Sequence, residues 1–198
     1  THLDTIRGVA VMGILVMNTI SFFFGGAAYF DVSAAGSHSS VDWFLGIAGE
    51  VFADQKFMGL FSLLFGASIL LFVERAKAKG HAPVKLSLWR NTLLLVIGIL
   101  HVILWEGDVL IVYALCAPIL LLAHKCSHRF LVGAGLFFFA LSILQNWLLG
   151  YSVDDATVRS VWAAPHDTTG LSPEAELMGL SIVVDAFTRA LGMMFIGM

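Results

Sequence analysis

The sequence predicts an all-α fold, a polytopic bundle of transmembrane helices. Three observations predict it. Hydrophobic residues make up 59% of the 198 and charged residues only 13%, against roughly 45–50% and about 25% in soluble domains. A chain this short cannot bury so much apolar surface in one soluble core, so lipid must cover the rest. Six apolar runs approach the length of about 20 helical residues that a bilayer core of about 30 Å requires. Lys and Arg gather in alternate loops between those runs.

The first run covers 8–24 and the second 43–73. The second is too long for one straight span, and its polar Ala53-Asp54-Gln55-Lys56 marks a break between an interfacial helix and a true span. The third run covers 86–105 and the fourth 109–123, with only Glu106-Gly107-Asp108 turning the chain between them. The fifth covers 130–150. The sixth begins near Leu177 and is still apolar at Met198. With Thr1 at one end and this open run at the other, 1–198 reads as one transmembrane helical domain, the N-terminal part of a longer protein.

Orientation follows from the cations. The loop 74–90 carries Arg75, Lys77, Lys79, Lys85 and Arg90; Lys125 and Arg129 follow the fourth span, and Arg7 precedes the first. These are expected in the cytoplasm, with the N-terminus. The loops 25–42 and 151–176 hold a single cation, Arg159, and are expected outside. The Glu-Gly-Asp turn then lies at the outer face. His101 sits about one and a half turns inside it. Close spacing of small residues, Ser62 to Gly66 and Gly133 to Gly135, suits tight helix packing.

Several chemistries are excluded or unsupported. The net charge is −3, and no basic cluster is interleaved with aromatics, so nucleic acid is not an expected partner. Neither Cys116 nor Cys126 has metal-ligand spacing with a histidine, so no metal is expected and both thiols are expected reduced. No phosphate loop and no nucleophile elbow is present.

The candidates are polar residues set in apolar runs, where they need a partner or a task. Asp4 and Arg7 are three apart at a helix start and can pair. Asn18 lies deep in the first span, either as glue between helices or as a donor to a carbonyl or oxyanion. Glu50 and Asp54 share a helical face and repel unless Lys56 neutralises them; they are functional if intramembrane and merely solvated if interfacial. His101, Trp105 and Asp108 follow an i, i+4, i+7 rhythm, one face of a helix that continues through Gly107. A neutral histidine oriented by a carboxylate is a usable general base; the alternative is a buried histidine bonded to a neighbouring helix. Tyr113 faces the same region. Asp185 and Arg189, four apart, are expected to form a structural pair.

Three motifs carry a resemblance. Leu3-Asp4-Thr5-Ile6-Arg7-Gly8, then Phe52-Ala53-Asp54-Gln55-Lys56-Phe57 running on to Gly66, then His101, Trp105-Glu106-Gly107-Asp108 and Tyr113-Ala114 together resemble the YeiB-like family of bacterial multi-pass membrane proteins. The likeness covers nearly the whole chain. Its first segment is also similar to transmembrane acyltransferases of the heparan-glucosaminide N-acetyltransferase type, which have an Asn ten residues after the Gly, as Asn18 follows Gly8 here. That resemblance implies transfer of an acyl group from cytosolic acyl-CoA to an acceptor on the far side, with Asn18 at the catalytic centre. The chain departs from the pattern at Tyr29, where those enzymes have a catalytic His. His101 is the substitute expected first, and His38 second.

The leading reading is therefore an integral protein of the bacterial plasma membrane with acyltransferase-like activity. His101, Asp108 and Asn18 are the expected catalytic residues. Arg7, Asp54, Lys56, Arg90, Trp105 and Tyr113 are expected around the substrates. The cations of 75–90 would attract the phosphates of an acyl-CoA donor. Expected partners are the lipid bilayer, a small-molecule, glycan or lipid acceptor, and further copies of the chain in a homo-oligomer. The alternatives are a transporter or lipid-binding protein that makes no bond, and a non-catalytic scaffold.

Overall fold

The computed structural model describes residues 2–24, 36, 39–104, 108–152 and 173–198. Among them are seven helices and no strand. In chain order they are α1 (His2–Phe24), α2 (Ser40–Phe52), α3 (Lys56–Ala78), α4 (Pro83–Val102), α5 (Leu110–Ala123), α6 (His128–Ser152) and α7 (Pro173–Gly197). The all-α bundle is the architecture the hydropathy predicts. Five stretches are long and apolar enough to cross a membrane: α1, α2 with α3, α4, α6 and most of α7. The chain is a multi-pass membrane protein, and its many exposed Leu, Ile, Val and Phe side chains are the surface that lipid covers.

The fourth expected span is shorter than the others. α5 has 14 residues, about 21 Å at 1.5 Å each. It is also the helix with the largest share of its residues buried, with Tyr113, Ala114, Cys116, Ala117, Leu120, Leu121 and Ala123 all enclosed. A helix surrounded by protein does not have to match the hydrocarbon thickness.

The break within 43–73 falls where the polar residues stand. α2 starts on a capping box, in which Ser39 accepts from the Asp42 amide and Asp42 accepts from the Ser39 amide. It ends at Phe52. The chain then turns through Ala53–Gln55, with Gln55 at φ 57°, a left-handed conformation uncommon outside glycine. Lys56 Nζ donates to the Glu50 carbonyl at 2.8 Å, placing a cation at the negative end of α2. The expected shared face of Glu50 and Asp54 is thereby corrected. The helix stops between them, so a spacing of four no longer aligns them on one helical face; Asp54 still repels Glu50 with Lys56 opposing it, and it accepts from Gln55 Nε2 at 3.1 Å.

The chain divides into two compact units, 1–61 with 148–180, and 62–147 with 181–198. Cross-helix polar contacts organise the second. Ser62 on α3 and Tyr113 on α5 share a buried hydrogen bond of 2.7 Å, and Phe65 packs 5.2 Å from the Tyr113 ring. Asn91 on α4 donates to the Ala114 carbonyl on α5 at 2.8 Å. On α7, Asp185 accepts from Ser142 and Asn146 of α6 and pairs with Arg189. The expected Asp185–Arg189 pair is present, set in a larger cluster.

Candidate functional site

The α4–α5 hairpin of the second unit carries the strongest candidate. α4 ends at Val102, where the Leu104 amide bonds to the His101 carbonyl and tightens the last turn. Asp108 stands two residues ahead of α5, and its Oδ1 accepts from the Leu110 amide at 3.1 Å. α4 thus ends at Val102 and α5 starts at Leu110, while the expected continuation through Gly107 falls on 105–107, outside the described residues. His101 and Asp108 still meet, Nδ1 to Oδ1, at 3.2 Å. Gly98, one turn before His101, makes this close approach feasible. A Cβ there would lie 3.0 Å from the Ile111 amide nitrogen and 3.1 Å from Leu110 Cβ.

The two members of the pair differ in exposure. The His101 side chain is 44% exposed and that of Asp108 only 3%. Asp108 Oδ2 is buried and has no hydrogen-bond partner among the described residues. A buried carboxylate oxygen without a donor is costly, and the half-open imidazole beside it is accessible to a reactant. The arrangement suits a base: a carboxylate on Nδ1 fixes the tautomer and leaves Nε2 to take a proton.

The other expected residues are distributed as follows. Tyr113 is one turn into α5, fully buried on Ser62. Arg90 is exposed on α4, with its guanidinium 4.2 Å over the Phe72 ring. Asn18 is half-buried in α1, and Arg7 pairs with Asp4 at 3.0 Å; these two, with Asp54 and Lys56, belong to the first unit. Trp105, Tyr29 and His38 lie outside the described residues, as does Arg159. Among the described residues no group of three His, Cys, Asp or Glu side chains could hold a metal ion.

Sequence reasoning did not find Ser62, Asn91, Ser142 or Asn146 as partners. The signals were present. Gln145-Asn146 interrupts the fifth apolar run, and Pro118 sits inside the fourth.

No family model matches the chain, and no solved structure matches it. It is similar to the uncharacterized protein YeiB of Escherichia coli K12, 34% identical over 167 residues, covering 80% of this chain and 40% of the relative. It is similar to the uncharacterized protein YxaH of Bacillus subtilis 168, 35% identical over 140 residues, covering 66% of this chain and 34% of the relative. A third, an uncharacterized protein of Bacillus acidopullulyticus, is 32% identical over 123 residues, covering 62% of this chain and 33% of its own. The chain is thus a homologue of uncharacterized bacterial proteins of the YeiB and YxaH kind, and it spans about a third to two fifths of their length.

Proposed function

We propose that this chain, as part of a YeiB-like protein of the bacterial plasma membrane, carries the base of a transmembrane acyltransferase. The observation that supports this is a half-exposed imidazole held 3.2 Å from a buried carboxylate. In the step, His101 Nε2 takes the proton of an acceptor hydroxyl or amine. The acceptor oxygen or nitrogen attacks the thioester carbonyl of an acyl-CoA. The carbon–sulfur bond breaks, and the CoA thiolate leaves with the proton that His101 returns. Asp108 orients the ring and stabilises the imidazolium.

The test is acyl-CoA turnover and melting temperature measured together on purified full-length protein. His101→Ala is expected to cut turnover by about 10²–10⁴ with the melting temperature kept. His124→Ala, which removes a ring bonded to the Leu121 carbonyl, is expected to leave turnover intact. Normal turnover in His101→Ala removes the base; no turnover in the wild type with any acyl donor removes the enzyme reading.

One feature favours a transporter instead, the break between α2 and α3 with Glu50, Asp54 and Lys56 around it. Substrate accumulation in proteoliposomes without any change in the substrate would select that reading.

A further inference from the structure

An open cavity of about 510 Å³ lies at the other end of α4, lined by His81, Ala82, Lys85, Leu86 and Trp89. It is some 20 residues from His101, about 30 Å along a helix, and takes no part in the hairpin chemistry. Its construction is specific. α3 closes with the Gly80 amide on the Lys77 carbonyl and the His81 amide on the Ala76 carbonyl, with Gly80 at φ 70°. This ending reverses the chain within a few residues and sets His81 beside the start of α4. Pro83 then opens α4, and no side chain caps it. Lys85 and Trp89, four apart, share one face of α4, and His81, just ahead of the helix, lines the same cavity. No carboxylate lines the cavity. The positive end of a helix, an ammonium and an imidazole therefore converge on a space whose remaining wall is Leu86 and an indole that is 61% exposed.

We propose that this cavity binds the phosphate of an anionic phospholipid in the leaflet that the Lys/Arg distribution assigns to the cytoplasm. The chemistry recognised is a phosphate monoanion. The source is a lipid because the groove opens at the end of an apolar span. There Trp89 and Leu86 lie at the depth of the glycerol backbone and first methylenes, where tryptophan is favoured. A soluble phosphate would gain nothing from that exposed indole and leucine.

The test uses full-length protein in detergent, titrated with phosphatidylglycerol or phosphatidylcholine, with adducts counted by native mass spectrometry. The wild type is expected to prefer phosphatidylglycerol. Lys85→Gln is expected to reduce that preference about fivefold, the worth of one cation at an anionic surface, and Trp89→Ala to weaken binding of phosphatidylglycerol further. Lys125→Gln, a cation in the other loop of the same side, is expected to change nothing. An equal loss in Lys125→Gln would mean diffuse attraction and overturn the site. An unchanged ratio in Lys85→Gln would do the same. Displacement of the lipid by soluble CoA or inorganic phosphate would assign the cavity to a soluble phosphate and overturn the lipid source.

Discussion

Pro118 has no N–H, so the Ala114 carbonyl four residues earlier loses its helical partner. Ala114 is 2% exposed, and water cannot replace the bond. Asn91 replaces it from the neighbouring helix, Nδ2 to the carbonyl oxygen at 2.8 Å. The amide is itself half satisfied, because Asn91 Oδ1 is buried without a hydrogen-bond partner. Asn91→Leu therefore exchanges one orphaned acceptor for another, and the difference is the bond alone. Interhelical hydrogen bonds in membranes average about 0.6 kcal/mol and reach about 1.7; at this length and burial, about 1 kcal/mol of destabilisation is expected. Pro118→Ala restores the helical N–H to Ala114. In that background the Asn91 donor competes with the backbone for one carbonyl, and Asn91→Leu should become neutral or stabilising. Reversible SDS unfolding of the four proteins of the cycle measures this. The same Asn91→Leu effect in both backgrounds, within about 0.3 kcal/mol, would refute the argument that Asn91 serves the carbonyl that Pro118 vacates.

Further outcomes follow from the hairpin and the topology. Gly98→Ala puts a methyl against the Ile111 backbone; it is expected to cost about 1–3 kcal/mol as overpacking does, read by the same unfolding assay, and to lower turnover by parting His101 from Asp108. Native Cys126 is exposed in a turn expected in the cytoplasm. An impermeant maleimide should label it in inverted vesicles and not in intact spheroplasts, whereas a cysteine at Ser152, in a Cys126→Ala background, should show the reverse.

The spans are legible because hydropathy is a property of each helix with lipid and needs no knowledge of its neighbours. The break at Ala53–Gln55 is legible for the same reason, since the consecutive polar residues Asp54, Gln55 and Lys56 cannot continue a span cheaply. The His101–Asp108 pair is legible because the two residues stand close in the sequence at the facing ends of adjacent apolar runs, although the helical rhythm that grouped them ends with α4 at Val102. The contacts that sequence missed all depend on the register between helices. Ser62 with Tyr113 spans 51 residues, and Ser142 with Asp185 spans 43; no periodicity within one helix encodes such distances. The short length of α5 is already legible in the run 109–123, but its enclosure by protein is not, because an apolar run looks the same whether lipid or protein surrounds it.

Two buried aspartates in the second unit show how the same residue type separates into structure and site. Asp185 accepts from Ser142 and from Asn146 and is neutralised by Arg189, so both carboxylate oxygens are engaged by the protein itself. Asp108 accepts one backbone amide and faces one imidazole, and its Oδ2 has no hydrogen-bond partner among the described residues. Removing a fully satisfied buried ion leaves its donors and its counter-charge unmatched, at a cost of about 3–5 kcal/mol. Removing one that is already half-matched costs less in the fold and more in whatever task its partner performs. Asp185→Ala should therefore collapse the melting temperature, with turnover lost only as the fold is lost. Asp108→Asn should keep the melting temperature within a few degrees while lowering turnover, since the imidazole loses the carboxylate that orients its ring. Equal melting losses in the two variants would make Asp108 another structural anchor and leave His101 without the orientation its proposed role requires.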